Sequence, residues 1–228
     1  MSLLLGARGK DFVVLLADGI SLRTTNEKTV VEHLDLKKLF QLGDRPCVIA
    51  HHGQNELGGS QVQSVLTNPS FQELQARSWN QGLNVAMART VERLDSVVCQ
   101  TLKSSPHRNL FGLWFTGFWP CTSNPEISEL VWQHSGRNRV RTAIMPHKHL
   151  VMGGGGFKYL RDYLSKPASK DFDINKIATS PVEYSMELVK KLYSIAEQRQ
   201  KEAGENIFGG KRMMALITRD GVDLGPLN

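Results

Sequence analysis

The sequence predicts a single-domain α+β sandwich in which two antiparallel sheets stack between helical layers. The prediction rests on the order of its patterns. Short apolar runs suited to strands cluster at both ends and in the middle of the chain, as in Phe12–Ala17, Leu110–Trp119 and Met213–Thr218. Between those clusters, apolar residues recur at the three- and four-residue spacing of a helical face. Strands, two helices, strands, two helices, strands: this segregation suits two stacked sheets between helical layers. No linker, tandem repeat or low-complexity stretch interrupts the 228 residues, so residues 1–228 are expected to form one domain.

Leu3–Leu5 and Phe12–Ala17 flank a turn at Gly6–Lys10 and predict a hairpin that ends in the carboxylate of Asp18. Ile20–Leu22 extends the strand pattern to the polar stretch Thr24–Lys28. Lys38–Leu42 and Cys47–Ala50, separated by Gly43-Asp44-Arg45-Pro46, predict a second hairpin, closed by His51-His52-Gly53. Neighbours on a strand face opposite ways, so the two histidines are poorly placed to share a metal. Val62, Val65 and Leu66 predict a short helix ending before Asn68-Pro69. Leu83, Met87, Val91, Leu94 and Val98 then lie on one face of a long helix, from Phe71 or Trp79 to Leu102.

Leu110–Trp119 is a buried strand by its aromatic content, Ile127–Gln133 alternates as its partner, and Val140–Met145 completes an antiparallel meander. Leu150–Met152 runs into Gly153-Gly154-Gly155-Gly156, followed by helical spacing at Phe157, Leu160 and Leu164. This resembles a phosphate cradle only superficially. Lys158 stands where GxGxxG from Gly153 needs its last glycine, and no GK[ST] follows. Ser180-Pro181-Val182-Glu183 predicts a helix start with Ser180 as cap, continuing to Lys201. Met213–Thr218 is the final buried strand, and Asp220-Gly221 turns into Val222–Leu224.

Composition narrows the classes of function. Hydrophobic content of 40% and charged content of 22% are those of an ordinary globular domain. No run approaches the roughly 18 apolar residues of a membrane span, and the first residues lack a signal-peptide pattern, so a cytoplasmic, non-membrane protein is expected. Cys47, Cys99 and Cys121 are odd in number and widely spaced, which predicts reduced thiols, two of them in the core. The net charge of +6 is scattered without a Lys/Arg block, so it describes a solvated surface rather than a nucleic-acid partner. No cofactor or metal site is expected.

The start of the chain carries the chemistry. If Met1 is removed, a predicted strand opens with a free α-amine on Ser2. Such an amine, with an unperturbed pKa of roughly 8, can act as general base to its own hydroxyl.

Over nearly the full length, and in order, the chain resembles the proteasome family, which includes proteasome β subunits and the bacterial HslV peptidase. FVVLLAD (Phe12–Asp18), LKKLF (Leu36–Phe40), CVIAHHG (Cys47–Gly53), Phe111–Trp119 with Ile127–Gly136, MGGGGF (Met152–Phe157), Glu205–Gly210 and Ile217–Gly221 carry the resemblance. It implies the four-layer αββα sandwich of N-terminal nucleophile (Ntn) hydrolases, the threonine-type endopeptidase class, and stacked rings of copies or related subunits. It also implies a peptide or unfolded-protein substrate and an ATP-driven unfoldase or cap as partner. Because the chain begins at the strand, without the extra helix of family α subunits, a β-type subunit is expected. Ser2 matches the nucleophilic Thr, Asp18 the carboxylate and Lys38 the lysine, with a backbone N–H of Gly53 or its neighbour in the His52-Gly53 turn as oxyanion donor. Gly154 and Glu205 match the Ser and Asp that order the amine, and Phe208 a further Ser; at these positions the chain departs from the pattern. His52-Gly53-Gln54 replaces the glycine doublet after the second hairpin. The resemblance extends also to family β subunits that mature no N-terminal Thr and serve as structural ring members.

Overall fold

The structure is a computed structural model that describes residues 2–24, 29–104, 110–134, 138–144, 148–165 and 173–227. β1 (Leu4–Arg8) and β2 (Val13–Ala17) form the first hairpin, and β3 (Ser21–Thr24) with β4 (Thr29–His33) a two-stranded ribbon. β5 (Leu39–Gln41) and β6 (Cys47–Gly53) form the second hairpin. β7 (Glu56–Leu57) and β8 (Ser60–Gln61) then lead into α1 (Val62–Leu66), α2 (Pro69–Trp79) and α3 (Leu83–Ser104). β9 (Leu110–Gly117), β10 (Glu126–His134) and β11 (Asn138–Ile144) make the meander. β12 (Leu150–Gly153), α4 (Lys158–Leu164), α5 (Val182–Glu202), β13 (Met213–Thr218) and β14 (Gly221–Pro226) complete the order.

Two antiparallel five-stranded sheets result. The first runs β12-β1-β2-β13-β14 and the second β11-β10-β9-β6-β5. Their facing sides share a core of Leu4, Val13, Leu15, Ala17 and Ile217 from one and Leu39, Val48, Ala50, Trp114 and Ile127 from the other. The opposite side of the first sheet, with Leu3, Leu5, Val14 and Leu16, lies under Leu188, Leu192 and Ala196 of α5. On the second sheet Ile49, Phe111, Leu113 and Leu130 meet Met87, Leu94 and Val98 of α3. Both faces of β1 and β2 are buried, which is why β2 and the start of β1 are apolar on both faces rather than alternating. The order of packing is helices, sheet, sheet, helices.

Several boundaries differ from the sequence expectation. The first turn is not Gly6–Lys10: Gly6, Ala7 and Arg8 continue β1, and the chain turns at Gly9–Phe12, where the Gly9 N–H donates to the Phe12 carbonyl. Gly6 pairs with Val151 and Leu15 in the ladder, and Trp114 and Ile127 of the facing sheet leave little room there for a side chain. The expected long helix is an antiparallel pair, α2 and α3, broken at Asn80–Gly82 where Gly82 takes a φ of +102°. Gln75 donates to Thr90 at 2.8 Å between them. α5 starts one residue later than expected. Pro181 rather than Ser180 occupies its cap, and no side chain caps it. Of the cysteines only Cys47 is buried, its thiol pushed up to about 12 by burial, while Cys99 is half-buried and Cys121 exposed.

Truncating Leu15, at 1% exposure in the core between the sheets, tests how much the stacking contributes. Leu15→Ala is expected to lower unfolding free energy by about 2–5 kcal/mol, read by chemical denaturation.

Candidate active site

Three ends of strands converge on one buried cluster. Ser2 precedes β1, Asp18 follows β2, and Lys38 precedes β5. The β1–β2 register, with Leu4 opposite Ala17, brings the first two together. The backbone of Asp18 donates to the Leu3 carbonyl, and the Leu3 N–H donates to Asp18 Oδ1 at 2.9 Å. Lys38 comes from the other sheet, where its carbonyl accepts from His51 N–H of β6 at 3.1 Å. Its side chain crosses the gap between the sheets.

Lys38 Nζ lies 2.9 Å from Ser2 Oγ, 2.9 Å from Asp18 Oδ1 and 2.8 Å from the Ile20 carbonyl oxygen. These acceptors match the three N–H donors of an ammonium group. Asp18 accepts in turn from four donors: Leu3 N–H and Lys38 at Oδ1, and Ile20 N–H and Gly209 N–H, each at 3.4 Å, at Oδ2. Lys38 and Asp18 are fully buried and Ser2 is 1% exposed. An ion pair so placed is tolerable only because its hydrogen bonds are made on both sides. Tyr193 of α5 feels the same charge: burial first, and then Asp18, push its phenol up from the ordinary value. On the other flank His51, stacked near Phe40, is held down to about 3 by burial and by the Lys38 cation.

Chemically, a cation against a hydroxyl favours the alkoxide, and a carboxylate that binds the ammonium keeps the lysine cationic. The cluster positions a polarised hydroxyl at the head of a strand. A general base is not among Asp18 and Lys38 in this arrangement, since both are committed to each other.

The other expected residues divide. Gly154 contacts Ser2 as backbone: a Cβ there would lie 2.1 Å from the Ser2 carbonyl oxygen, and its φ of +81° disfavours a side chain. Two residues on, Gly156 N–H donates to that same carbonyl at 3.0 Å. The position expected to hold a hydroxyl thus has no room for one. Glu205 lies apart from Ser2. Its carboxylate is paired with Lys158 at 2.7 Å, both half-exposed, and among the described residues it makes no hydrogen bond to Ser2. Phe208 turns its ring into the core against Tyr159 and Tyr193. Gly53 ends β6 opposite Phe111 with a φ of +88°, pressed against the Leu110 carbonyl so closely that a Cβ would meet it at 2.1 Å. It is not among the groups bonded to Ser2. Met1 lies outside the described residues.

Groups that the sequence did not single out complete the cluster: the Ile20 carbonyl and the backbone N–H groups of Leu3, Gly156 and Gly209. Backbone donors carry no residue signature. The only available hint was glycine at 154, 156, 209 and 210, where the backbone passes close. The adjacent histidines do face opposite ways, His51 toward Phe40 and His52 to Glu129, 2.7 Å from its carboxylate. No protein-family model and no curated protein matches the chain.

Removing the ammonium should expose the cost of the buried carboxylate. Lys38→Met is expected to destabilise the fold by about 3–5 kcal/mol in urea unfolding, because Asp18 is left without its partner. A second outcome follows from His51. Its folded pKa of about 3 lies below the roughly 6.5 of an unfolded histidine, so the unfolded state binds the extra proton first. This contribution to stability is complete above about pH 6.5 and is lost as pH falls toward 3. His51→Gln should flatten the fall in denaturation midpoint over that window.

Proposed function

We propose that the chain is a subunit of a self-compartmentalising, proteasome-like peptidase of the Ntn-hydrolase fold, with Ser2 as N-terminal nucleophile once Met1 is removed. The observation that supports it is the contact of one buried lysine, Lys38, with both Ser2 Oγ and Asp18 at 2.9 Å. The stacking of two antiparallel sheets between helices agrees with the same reading.

In this mechanism the Ser2 oxygen attacks the carbonyl carbon of a peptide bond while its proton passes to the freed α-amine. Lys38 stabilises the developing negative charge on that oxygen, and Asp18 holds the lysine in place and charged. Collapse of the tetrahedral intermediate breaks the C–N bond, with the proton passing from the α-ammonium to the leaving amine. An ester to Ser2 remains, and water activated by the same amine hydrolyses it. Gly53 N–H is the proposed donor to the oxyanion. Related copies in stacked rings would confine the substrate, an unfolded chain supplied by an ATP-driven partner.

A second reading keeps the rings and drops the chemistry, as a silent structural subunit. Specific observations favour it. Gly154 offers no hydroxyl beside Ser2, Glu205 is engaged with Lys158, and Ser2 is 1% exposed.

Intact mass before and after treatment with a peptide epoxyketone separates the two. That reagent needs both the hydroxyl and the free α-amine of one terminal residue. Loss of Met1 with a single adduct is expected, abolished in Ser2→Ala and reduced at least about tenfold in rate in Lys38→Ala. Retained Met1, or no adduct after its removal, overturns the N-terminal nucleophile and leaves the silent-subunit reading.

A further inference from the structure

The far end of β1 holds a second charged site. Arg8 is six residues along the strand from Ser2, a distance of roughly 20 Å. Its backbone N–H donates to the His149 carbonyl at 2.8 Å, and its carbonyl lies 3.0 Å from His149 Nδ1. The residue is only 8% exposed, and it lines a cavity of about 310 Å³ together with Gly9, Lys10, Asn124, His149 and Ala178.

A guanidinium carries five N–H donors in a planar fork. Among the described residues none of them is taken by a hydrogen bond or an ion pair. Glu126 faces Arg8, but its carboxylate acts at longer range than a direct pair. Each group records the other's influence. Burial lowers the Arg8 pKa and Glu126 opposes that; burial raises the Glu126 pKa and Arg8 opposes that. The Arg8 nitrogens are not among the buried atoms left without a partner, so water reaches them and an anion of matching geometry can displace that water. Lys10 adds an exposed cation at the rim, and Asn124 and His149 add polar groups. The cavity is at the small end of ligand pockets.

We infer that this cavity binds a small oxyanion, a phosphate or carboxylate group held by the Arg8 fork and by Lys10. A planar guanidinium takes two oxygens of such a group at once, which a lysine does not. The site stands on the opposite end of the sandwich from Ser2 and does not depend on any peptidase chemistry.

Isothermal titration of the full chain at pH 7 and constant ionic strength, with inorganic phosphate in one arm and succinate in the other, tests it. Saturable binding of either anion with one site per chain is expected, and the tighter arm tells a phosphoryl from a carboxylate ligand. Arg8→Gln should weaken it by about tenfold or more, and Lys10→Gln by about two- to fivefold. Lys103→Gln, at the distant end of α3, should leave it unchanged, as should Ser2→Ala. If Arg8→Gln does not give the wild-type circular dichroism spectrum, Lys10→Gln carries the same comparison, since it alters only an exposed side chain. Absence of saturable binding in both arms overturns the proposal. So does binding that survives both substitutions at Arg8 and Lys10, or that Lys103→Gln weakens equally, which would mark diffuse attraction to a chain of net charge +6.

Discussion

The Lys38 ammonium is the interaction on which the rest of this structure depends. It starts from the edge strand of one sheet and ends among acceptors of the other, so it fixes the two sheets to each other at the end where Ser2 stands. Its burial is permitted by what surrounds it. Asp18 supplies the opposite charge, Ile20 and Ser2 take the remaining N–H groups, and backbone donors from Leu3, Ile20 and Gly209 satisfy the carboxylate. Each of these groups lies at a strand end or in the segment next to it, so the site requires both sheets to be in register at once.

The same constraint explains the apolar character of the strands. A sheet sandwiched between a second sheet and a helix layer has no wet face, and β2 together with the first residues of β1 and β6 accordingly read as hydrophobic runs. Polar groups inside are then confined to places where partners converge. One is the Ser2–Asp18–Lys38 cluster. Another is His52 with Glu129, where Trp114 Nε1 also donates to the carboxylate at 3.0 Å. There burial would raise the Glu129 pKa, but the His52 and Trp114 contacts outweigh it and leave the carboxyl below its ordinary value.

The two ends of β1 set different tasks on a common strand. At the start, a hydroxyl is held against a paired cation. At the finish, Arg8 interacts with the Glu126 carboxylate without a direct pair and lines a cavity.

The sequence by itself determined most of the architecture. Apolar runs of strand length, helical spacing at Leu83–Val98 and turn residues at Gly43–Pro46 are local signals, and each led to the right kind of element. It also placed Ser2, Asp18 and Lys38 as partners, through resemblance rather than spacing, because positions 2, 18 and 38 share no periodicity. At Gly6 a long-range contact overrides the local signal: the residue suits a turn but packs against Trp114 of the facing sheet. At the start of α5 the cap is Pro181 rather than Ser180. Only the tertiary structure decided that Glu205 turns to Lys158, that the Ser2 carbonyl fills the space beside Gly154, and that Ile20, Gly156 and Gly209 serve the site through their backbones. Every residue has the same backbone N–H and C=O, so a backbone partner leaves no mark in the sequence, and only the packing of distant segments selects which ones are used.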